Sequence, residues 1–120
     1  MDSTDHPTRG EVVRVRLDPV EGSEQGGERP ALVISPDVIN AHSPVILVAA
    51  ITSRKTSRVY PFEALIEPPD GGIPLRSKVM LTHIRSIDQR RVVGSYGRVG
   101  ADTITRVEAA LKIATGLTAV

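Results

Sequence analysis

The residues best suited to chemistry lie in a polar, glycine-rich stretch between two strand-like runs, Val12–Leu17 and Ala31–Ile34. The stretch reads Glu21-Gly-Ser-Glu-Gln-Gly-Gly-Glu-Arg-Pro30. Arg29 directly precedes Pro30, and a residue before proline is held near extended geometry. Its guanidinium is permanently charged, and its planar set of donors matches a phosphate group. A solvent-exposed hairpin loop with a surface arginine is the alternative interpretation of the same residues.

A second polar stretch follows the apolar run that ends at Ile51. Thr52 and Ser53 place two hydroxyl groups where a buried strand is expected to end, in reach of a phosphate oxygen. A strand-ending Thr-Ser pair is also common without any function. The basic side chains that could line a groove, or equally form a solvated face, are Arg29, Arg54, Lys55 and Arg58.

Standard catalytic and metal-binding motifs are missing. The chain has no Gly-x-Ser-x-Gly elbow, Walker loop or His-Glu-x-x-His motif. It has no cysteine, which excludes disulfides and thiolate metal sites. The histidines His6, His42 and His83 are too scattered to suggest a metal site, so no cofactor is expected. His83 could act as an acid or base, although ordinary packing or hydrogen bonding is the favoured interpretation.

Composition narrows the class of protein further. The net charge is only +1, but twelve of the fifteen basic residues are arginine, which favours phosphate recognition. Only three residues are aromatic, so an extended base-stacking platform is not expected. The chain shows no apolar run long enough for a membrane span and no secretory signal, which predicts a cytoplasmic location.

Short apolar runs separated by turn residues predict a mostly β domain with one C-terminal helix. The most apolar run, Pro44–Ile51, is expected to be a central strand buried on both faces. The helix is expected over Ala101–Thr115, with Asp102 as its cap and Gly116 just after its end. Its apolar stripe comprises Ile104, Val107, Leu111 and Ala114.

The remaining patterns complete a small antiparallel β-barrel. The other expected elements are strands at 12–17, 31–34, 58–67 and 77–83, extended chain over 84–93, one helical turn at 37–41 and a turn at 68–72. Pro61 is expected at an edge or bulge position of its strand. Residues 1–9 are predicted to be a disordered leader, and residues 10–120 a single domain.

Taken together, these blocks resemble the MazF/PemK family of toxin endoribonucleases. The resemblance rests on Arg9-Gly-Glu-Val12, Leu17-Asp-Pro19, Gly22-Ser-Glu-Gln-Gly-Gly-Glu-Arg-Pro30, Leu32-Val-Ile-Ser35, Asn40-Ala-His-Ser-Pro44, Val48-Ala-Ala-Ile-Thr-Ser53, Ile84-Arg-Ser-Ile-Asp-Gln-Arg90 and the helix around Val107–Gly116. The blocks occur in the same order and spacing as in the family. Their joint occurrence is far more specific than any single block.

The resemblance implies an SH3-like barrel that forms a homodimer and cleaves single-stranded RNA without a metal, leaving 2′,3′-cyclic phosphate and 5′-OH ends. It assigns catalytic roles to Arg29 and Thr52. His83 is a possible proton carrier on the ground of its imidazole chemistry, if its side chain points into the groove. Many relatives have glutamine at the position of His83. The resemblance places Ser23, Glu24 and Gln25 in the loop that flanks the substrate. The full set of residues expected to bind RNA is Ser23, Glu24, Gln25, Ser53, Arg54, Lys55, Arg58 and Arg85. Base preference does not follow, because the segment 53–60 varies within the family.

The implied partners are single-stranded RNA, a second copy of the chain and a MazE-like antitoxin whose acidic tail occupies the RNA groove. Two alternatives remain at this stage. One is a non-catalytic SH3-like module that binds nucleic acid or peptide, and the other is a gyrase-targeting toxin of the same fold. The pairing of Arg29 with Thr52 argues against both.

Overall fold

The structure, a computed structural model, describes residues 5–17 and 27–120. Within these ranges the strands are β1 (Glu11–Leu17), β2 (Gly27–Val33), β3 (Val45–Thr52), β4 (Glu63–Ile66), β5 (Ser77–Asp88) and β6 (Val92–Arg98). The helices are α1 (Asp37–His42) and α2 (Ala101–Ala114). The predicted mostly β fold with a C-terminal helix is therefore confirmed. Neither helix in these ranges has the length and apolar character needed to cross a bilayer.

All six strands join one antiparallel sheet in the order β4-β5-β3-β2-β1-β6. Register shifts interrupt the pairing of β1 with β6 and of β3 with β5. Such bulges increase the local twist of a sheet, so this sheet curls. Because β4 and β6 do not pair with each other in the described residues, the predicted barrel is an open half-barrel.

Both faces of the sheet carry an apolar cluster. Val12 and Val13 are neighbours in β1 and both are fully buried, on opposite faces. The first cluster, which packs under α2, includes Val12, Leu32, Ala49, Ile51, Ile66, Val79, Leu81 and Val107. The second cluster consists of Val13, Val15, Ala31, Val33, Ile46, Val48 and Ile87, with Leu17 and Val92 packed against it. Strands buried on two sides explain the continuous apolar runs in the sequence.

The start of β3 departs from the prediction. Val45 and Leu47 are 40% and 38% exposed, so burial on both faces is wrong for this half of the strand. The reason is that α2 packs mainly on β4 and β5 and leaves this part of the first face uncovered. Farther along the strand, Val48 and Ala49 are buried on opposite faces as expected.

The strand predicted over residues 58–67 is much shorter in the structure. Only Glu63–Ile66 form β4, and Pro61 lies in the irregular segment before it. The backbone N–H of Tyr60 donates to the carboxylate of Glu63 at 3.0 Å instead of pairing with a strand. Since Pro61 has no N–H to donate, the chain cannot form a regular ladder here.

Strand β2 begins earlier than predicted, at Gly27. Arg29 therefore lies within a strand, opposite Val15 of β1, and not in a loop. The proline that follows it does not prevent pairing, because β2 uses the extended geometry that Pro30 favours. The glycine-rich stretch itself, including Ser23, Glu24 and Gln25, lies outside the described residues.

A 3-10 turn at Gln89–Arg91 interrupts the extended chain predicted over 84–93. The carboxylate of Asp88 accepts hydrogen bonds from the side chain and backbone N–H of Arg90, at 3.0 and 2.8 Å. These bonds lower the pKa of Asp88 to about 2. The carboxylate therefore stays charged and keeps its place at the start of the turn.

Residues 5–9, predicted to belong to a disordered leader, make defined contacts in the structure. The backbone N–H of Arg9 donates to Asp37 at 2.8 Å, and this bond lowers the pKa of that carboxyl. The Arg9 guanidinium lies 3.0 Å from the carboxylate of Glu108 in α2. Residues 1–4 lie outside the described residues.

Helix α2 is capped from a distance. Gly100 occupies the N-cap position, so the prediction that Asp102 caps the helix is wrong. The carboxylate of Asp70 accepts from the N–H of Gly100 at 2.7 Å and from the hydroxyl of Thr103. The predicted closing glycine, Gly116, has φ +78° and completes a Schellman motif. The predicted stripe packs on the first cluster.

The distant cap gives a stability prediction. Asp70→Ala should lower the free energy of unfolding by about 1–2 kcal/mol, the scale of a lost N-cap. Asp102→Ala, in the first turn of the same helix, should lower it by less than about 1 kcal/mol, because only a favourable charge near the helix dipole is lost. Urea denaturation of the two variants measures the difference, and equal losses would contradict the distant cap.

Candidate active site

Three polar side chains from three strands line one pocket of about 330 Å³. They are Arg29 of β2, Thr52 of β3 and Arg85 of β5. The other lining residues are Val15, Leu17, Pro30, Ala31, Val48, Ala50, Ile51, Met80 and Ile87. Most of these are apolar, and several belong to the second cluster. The pocket thus has a mostly apolar lining with polar side chains at three positions.

The strand register explains why these three side chains meet. Ala31 pairs with Ala50 across β2 and β3, and Val48 pairs with Arg85 across β3 and β5. Side chains two residues apart on a strand share a face. Arg29 and Thr52 therefore lie on the same face as Arg85, which is the face of the second cluster.

The charge of the pocket is positive. Among the described residues that line it, two are arginines and none is acidic. The nearest acidic neighbour in sequence, Glu28, belongs to the opposite face of β2, where it lies 2.7 Å from Arg14 and 3.7 Å from Arg16. Two guanidinium groups beside apolar walls favour an anionic ligand.

Thr52 is half-buried at the end of β3. Its hydroxyl oxygen accepts a hydrogen bond from the backbone N–H of Arg54 at 3.1 Å. A hydroxyl can accept and donate at once, so its proton remains available to a ligand. The bond fixes the direction of the hydroxyl, which suits a group that must be oriented toward a reacting phosphate.

The predicted RNA-binding residues that follow Thr52 do not line this pocket. Ser53, Arg54, Lys55 and Arg58 are exposed on the connection from β3 to β4. Lys55 has φ +54°, so the chain turns sharply there. The structure therefore separates the predicted set into a pocket group and a connection group.

His83 also lies outside the lining of the pocket. Three residues of β5, Leu81 to His83, have no partner in β3, because Ala49 pairs with Ile84 and Ala50 with Met80. Bulges of this kind redirect side chains. His83 is exposed, with Nδ1 3.3 Å from the hydroxyl of Thr82.

Sequence analysis missed a buried ion pair next to Thr52. Lys78 is the register partner of Thr52, and its Nζ lies 2.9 Å from the carboxylate of Glu63. The two side chains are only 6% and 8% exposed. Nζ also donates to the carbonyl of Arg58 at 2.9 Å. The available signal was a lysine directly before the apolar run Val79-Met-Leu81 in β5.

The described residues offer no group of three or more histidine, aspartate or glutamate side chains arranged to hold a metal ion. The polar side chains of the pocket end in guanidinium and hydroxyl groups. Arg29 of β2 and Arg85 of β5 lie on the two strands that flank β3. These groups can bind and orient a phosphate diester.

Known proteins are similar to this chain in sequence and in fold. Residues 8–115 match a family described as PemK-like, MazF-like toxins of type II toxin–antitoxin systems. The chain is 38% identical over 110 residues to endoribonuclease MazF9 of Mycobacterium tuberculosis (strain ATCC 25618 / H37Rv), covering 88% of this chain and 92% of that protein.

Two solved structures illustrate the likeness in three dimensions. A MazE–MazF structure (Form II) from Deinococcus radiodurans has a TM-score of 0.77 at 32% identity and covers 93% of this chain and 97% of its own. An endoribonuclease in complex with its cognate antitoxin, from a mycobacterial species, has a TM-score of 0.77 at 25% identity, with coverage of 93% and 97%.

The buried ion pair leads to a second stability prediction. Lys78→Met should lower the free energy of unfolding by about 3–5 kcal/mol, because the carboxylate of Glu63 stays buried without its partner. The double variant Lys78→Met/Glu63→Leu should recover most of this loss. Chemical denaturation of the single and double variants provides the measurement.

A matched control is present in the same chain. Arg76 and Glu67 form an ion pair at 2.8 Å, but their side chains are 51% and 60% exposed. Arg76→Ala should therefore cost less than about 1 kcal/mol. A Lys78→Met variant as stable as Arg76→Ala would show that the Lys78–Glu63 pair is not buried in solution.

Proposed function

The chain belongs to the family of PemK-like, MazF-like toxins of type II toxin–antitoxin systems, and we propose that it is a sequence-selective, metal-independent endoribonuclease for single-stranded RNA. The observation that carries this proposal is the meeting of Arg29, Thr52 and Arg85 in one cationic pocket. The name of the relative at 38% identity, an endoribonuclease, supports the same activity. We further propose messenger RNA in the cytoplasm as the substrate, with inhibition of translation and growth as the result.

The proposed reaction uses the nucleophile that RNA itself carries. The ribose 2′-oxygen attacks the adjacent phosphorus, the bond to the 5′-oxygen breaks, and the 2′-proton is lost while the leaving 5′-oxygen gains one. The products are a 2′,3′-cyclic phosphate and a 5′-OH end. An enzyme that holds the three reacting atoms in line contributes much of the rate by orientation alone.

Arg29 and Arg85 are suited to stabilising charge on the phosphate as it becomes pentacoordinate. Their guanidinium groups are planar donors that remain protonated, so they bind oxygens but are poor proton carriers. Thr52 orients the 2′-OH or donates to a phosphate oxygen through the hydroxyl proton that its bond from Arg54 leaves available. Proton transfer by His83 stays a prediction, because the side chain lies outside the pocket lining.

The partners that we propose are a second copy of the chain and a MazE-like antitoxin. The predicted apolar stripe of α2 is used within the domain, so it does not supply the dimer surface. Exposed apolar side chains on α1 and β3 are better suited to that role: Val38, Ile39, Val45 and Leu47. For the antitoxin, we propose that carboxylates of an acidic tail pair with the arginines that otherwise hold phosphate.

Cleavage of a mixed-sequence RNA tests the proposed activity. Wild-type protein in EDTA should produce 2′,3′-cyclic phosphate and 5′-OH ends at a restricted set of sequences, mapped by end sequencing. Arg29→Ala should reduce the cleavage rate by about 100-fold or more, as removal of one transition-state donor does, and Arg29→Lys should restore little. Thr52→Val should reduce cleavage while RNA affinity changes only a few-fold.

Arg76→Ala is the matched control, because it removes an exposed arginine that does not line the pocket. It should leave the cleavage rate unchanged. Near-normal cleavage by Arg29→Ala would contradict the assignment of the site. Tight RNA binding without any cleavage by the wild-type protein would identify a binding module instead.

Competition between antitoxin and RNA tests the proposed control. An acidic antitoxin tail should raise the apparent Kd for an uncleavable RNA analogue, and this competition should weaken as ionic strength rises, because exposed charges are screened by salt. The measurement is a titration at two salt concentrations, with light scattering of the free protein to test for a dimer. Simultaneous binding of both ligands, or a monomer, would contradict the model.

A further inference from the structure

The segment from Arg58 to Phe62 presents an ordered aromatic surface beside β5. The rings of Tyr60 and Phe62 are stacked, with centroids 5.3 Å apart and planes at 2°. The Arg58 guanidinium lies 5.7 Å from the Tyr60 centroid and donates to the Tyr60 hydroxyl at 3.3 Å. Tyr60 is 43% exposed and Arg58 is exposed, so both are accessible to a ligand.

The buried Lys78–Glu63 pair holds this segment at both ends. Lys78 Nζ donates to the carbonyl of Arg58 and to the carboxylate of Glu63, each at 2.9 Å. The same carboxylate accepts from the N–H of Tyr60 at 3.0 Å. The backbone is thus ordered before any ligand binds, which reduces the entropy that binding must lose.

The aromatic surface lies on the pocket side of the sheet. Met80 lines the pocket and is the register partner of Glu63, and Lys78 is the register partner of Thr52. Met80 and Lys78 are two residues apart on β5 and share a face. The Tyr60 ring is 5.9 Å from Lys78 Nζ, so the stack lies beside the register pair of Lys78 and Thr52.

The chemistry of the surface matches an unpaired nucleobase. Aromatic rings and guanidinium planes both stack on bases, whose faces are similar in all nucleotides. The adjacent carboxylate of Glu63 is neutralised by Lys78, so it does not repel a phosphate chain. Arg54 and Lys55 add exposed positive charge on the same connection.

We propose that Tyr60 and Arg58 form a stacking subsite for a nucleobase that flanks the phosphate held by Arg29, Thr52 and Arg85. This inference rests on the proposed function. A base inside a duplex cannot stack on a protein side chain, so the subsite selects single-stranded RNA at this position. Because stacking tolerates any base, it contributes affinity at one nucleotide without fixing that nucleotide's identity.

Base deletion combined with mutation tests the subsite. The ligand is an RNA that contains the mapped cleavage sequence, with 2′-deoxyribose at the cut position so that it is not cleaved. Its flanking nucleotides are replaced one at a time by abasic ones, and the Kd is measured by fluorescence anisotropy. Tyr60→Ala should weaken binding of the intact ligand about 10-fold. Replacement of the nucleotide whose base stacks on Tyr60 by an abasic one should weaken binding to the wild-type protein by the same factor. The same replacement should not weaken binding to Tyr60→Ala any further.

Two further variants separate stacking from a structural role. Tyr60→Phe keeps the ring and should retain the dependence on that base. Tyr96→Ala removes the other tyrosine, which is 38% exposed on β6, and should bind like the wild-type protein. Thermal unfolding of each variant checks that the fold is intact.

The outcomes distinguish this subsite from the proposed activity. Suppose that the wild-type protein cleaves RNA, but each abasic replacement lowers the affinity of Tyr60→Ala as much as that of the wild-type protein. The proposal of the subsite is then wrong, and the nuclease assignment stands. The same conclusion follows if Tyr60→Phe behaves like Tyr60→Ala. If the wild-type protein neither binds nor cleaves RNA, both proposals are wrong.

Discussion

The pairing register of β2, β3 and β5 is the constraint on which the candidate site depends. Ala31 opposite Ala50, and Ala50 opposite Met80, fix which residues of three strands share a face. A shift by one residue would move Arg29 or Thr52 to the face covered by α2. The second apolar cluster holds this register, because the same shift would remove its valine and isoleucine side chains from their packing partners on this face. The same strand register therefore determines both the packing of the core and the positions of the polar groups.

The charged side chains in and beside the pocket are of two kinds, exposed and buried. The arginines that line it, Arg29 and Arg85, are exposed. Lys78, the register partner of Thr52, is buried, and its Nζ is bound by the carboxylate of Glu63 and the carbonyl of Arg58. Because a buried cation without a partner is costly, Lys78 cannot exchange roles with Arg29. The buried pair orders the connecting segment, whereas the arginines of the pocket lining are exposed.

Much of the fold could be predicted from sequence, because apolar periodicity reports local structure directly. Helix α2, its closing glycine and most strands follow from spacing alone, and the pairing of Arg29 with Thr52 follows from the resemblance to a family. The distant cap from Asp70 and the Lys78–Glu63 pair could not be predicted, since they join residues far apart in the chain. The three-residue bulge before Ile84 was also hidden, and it places His83 outside the pocket lining. The small number of aromatic residues gave no indication that two of them, Tyr60 and Phe62, stack on each other.

The open edges of the half-barrel have a consequence for how this protein avoids aggregation. Edge strands offer unpaired N–H and C=O groups to any other extended chain. Strand β4 has only four residues, between Pro61 on one side and Pro68 and Pro69 on the other, so an added strand would find few bonds to make. At the other edge, the turn at Asp70–Gly72 covers β6 so closely that a Cβ on Gly72 would lie 2.0 Å from the carbonyl oxygen of Tyr96. Both features therefore limit the addition of a further strand at β4 and at the Tyr96 end of β6.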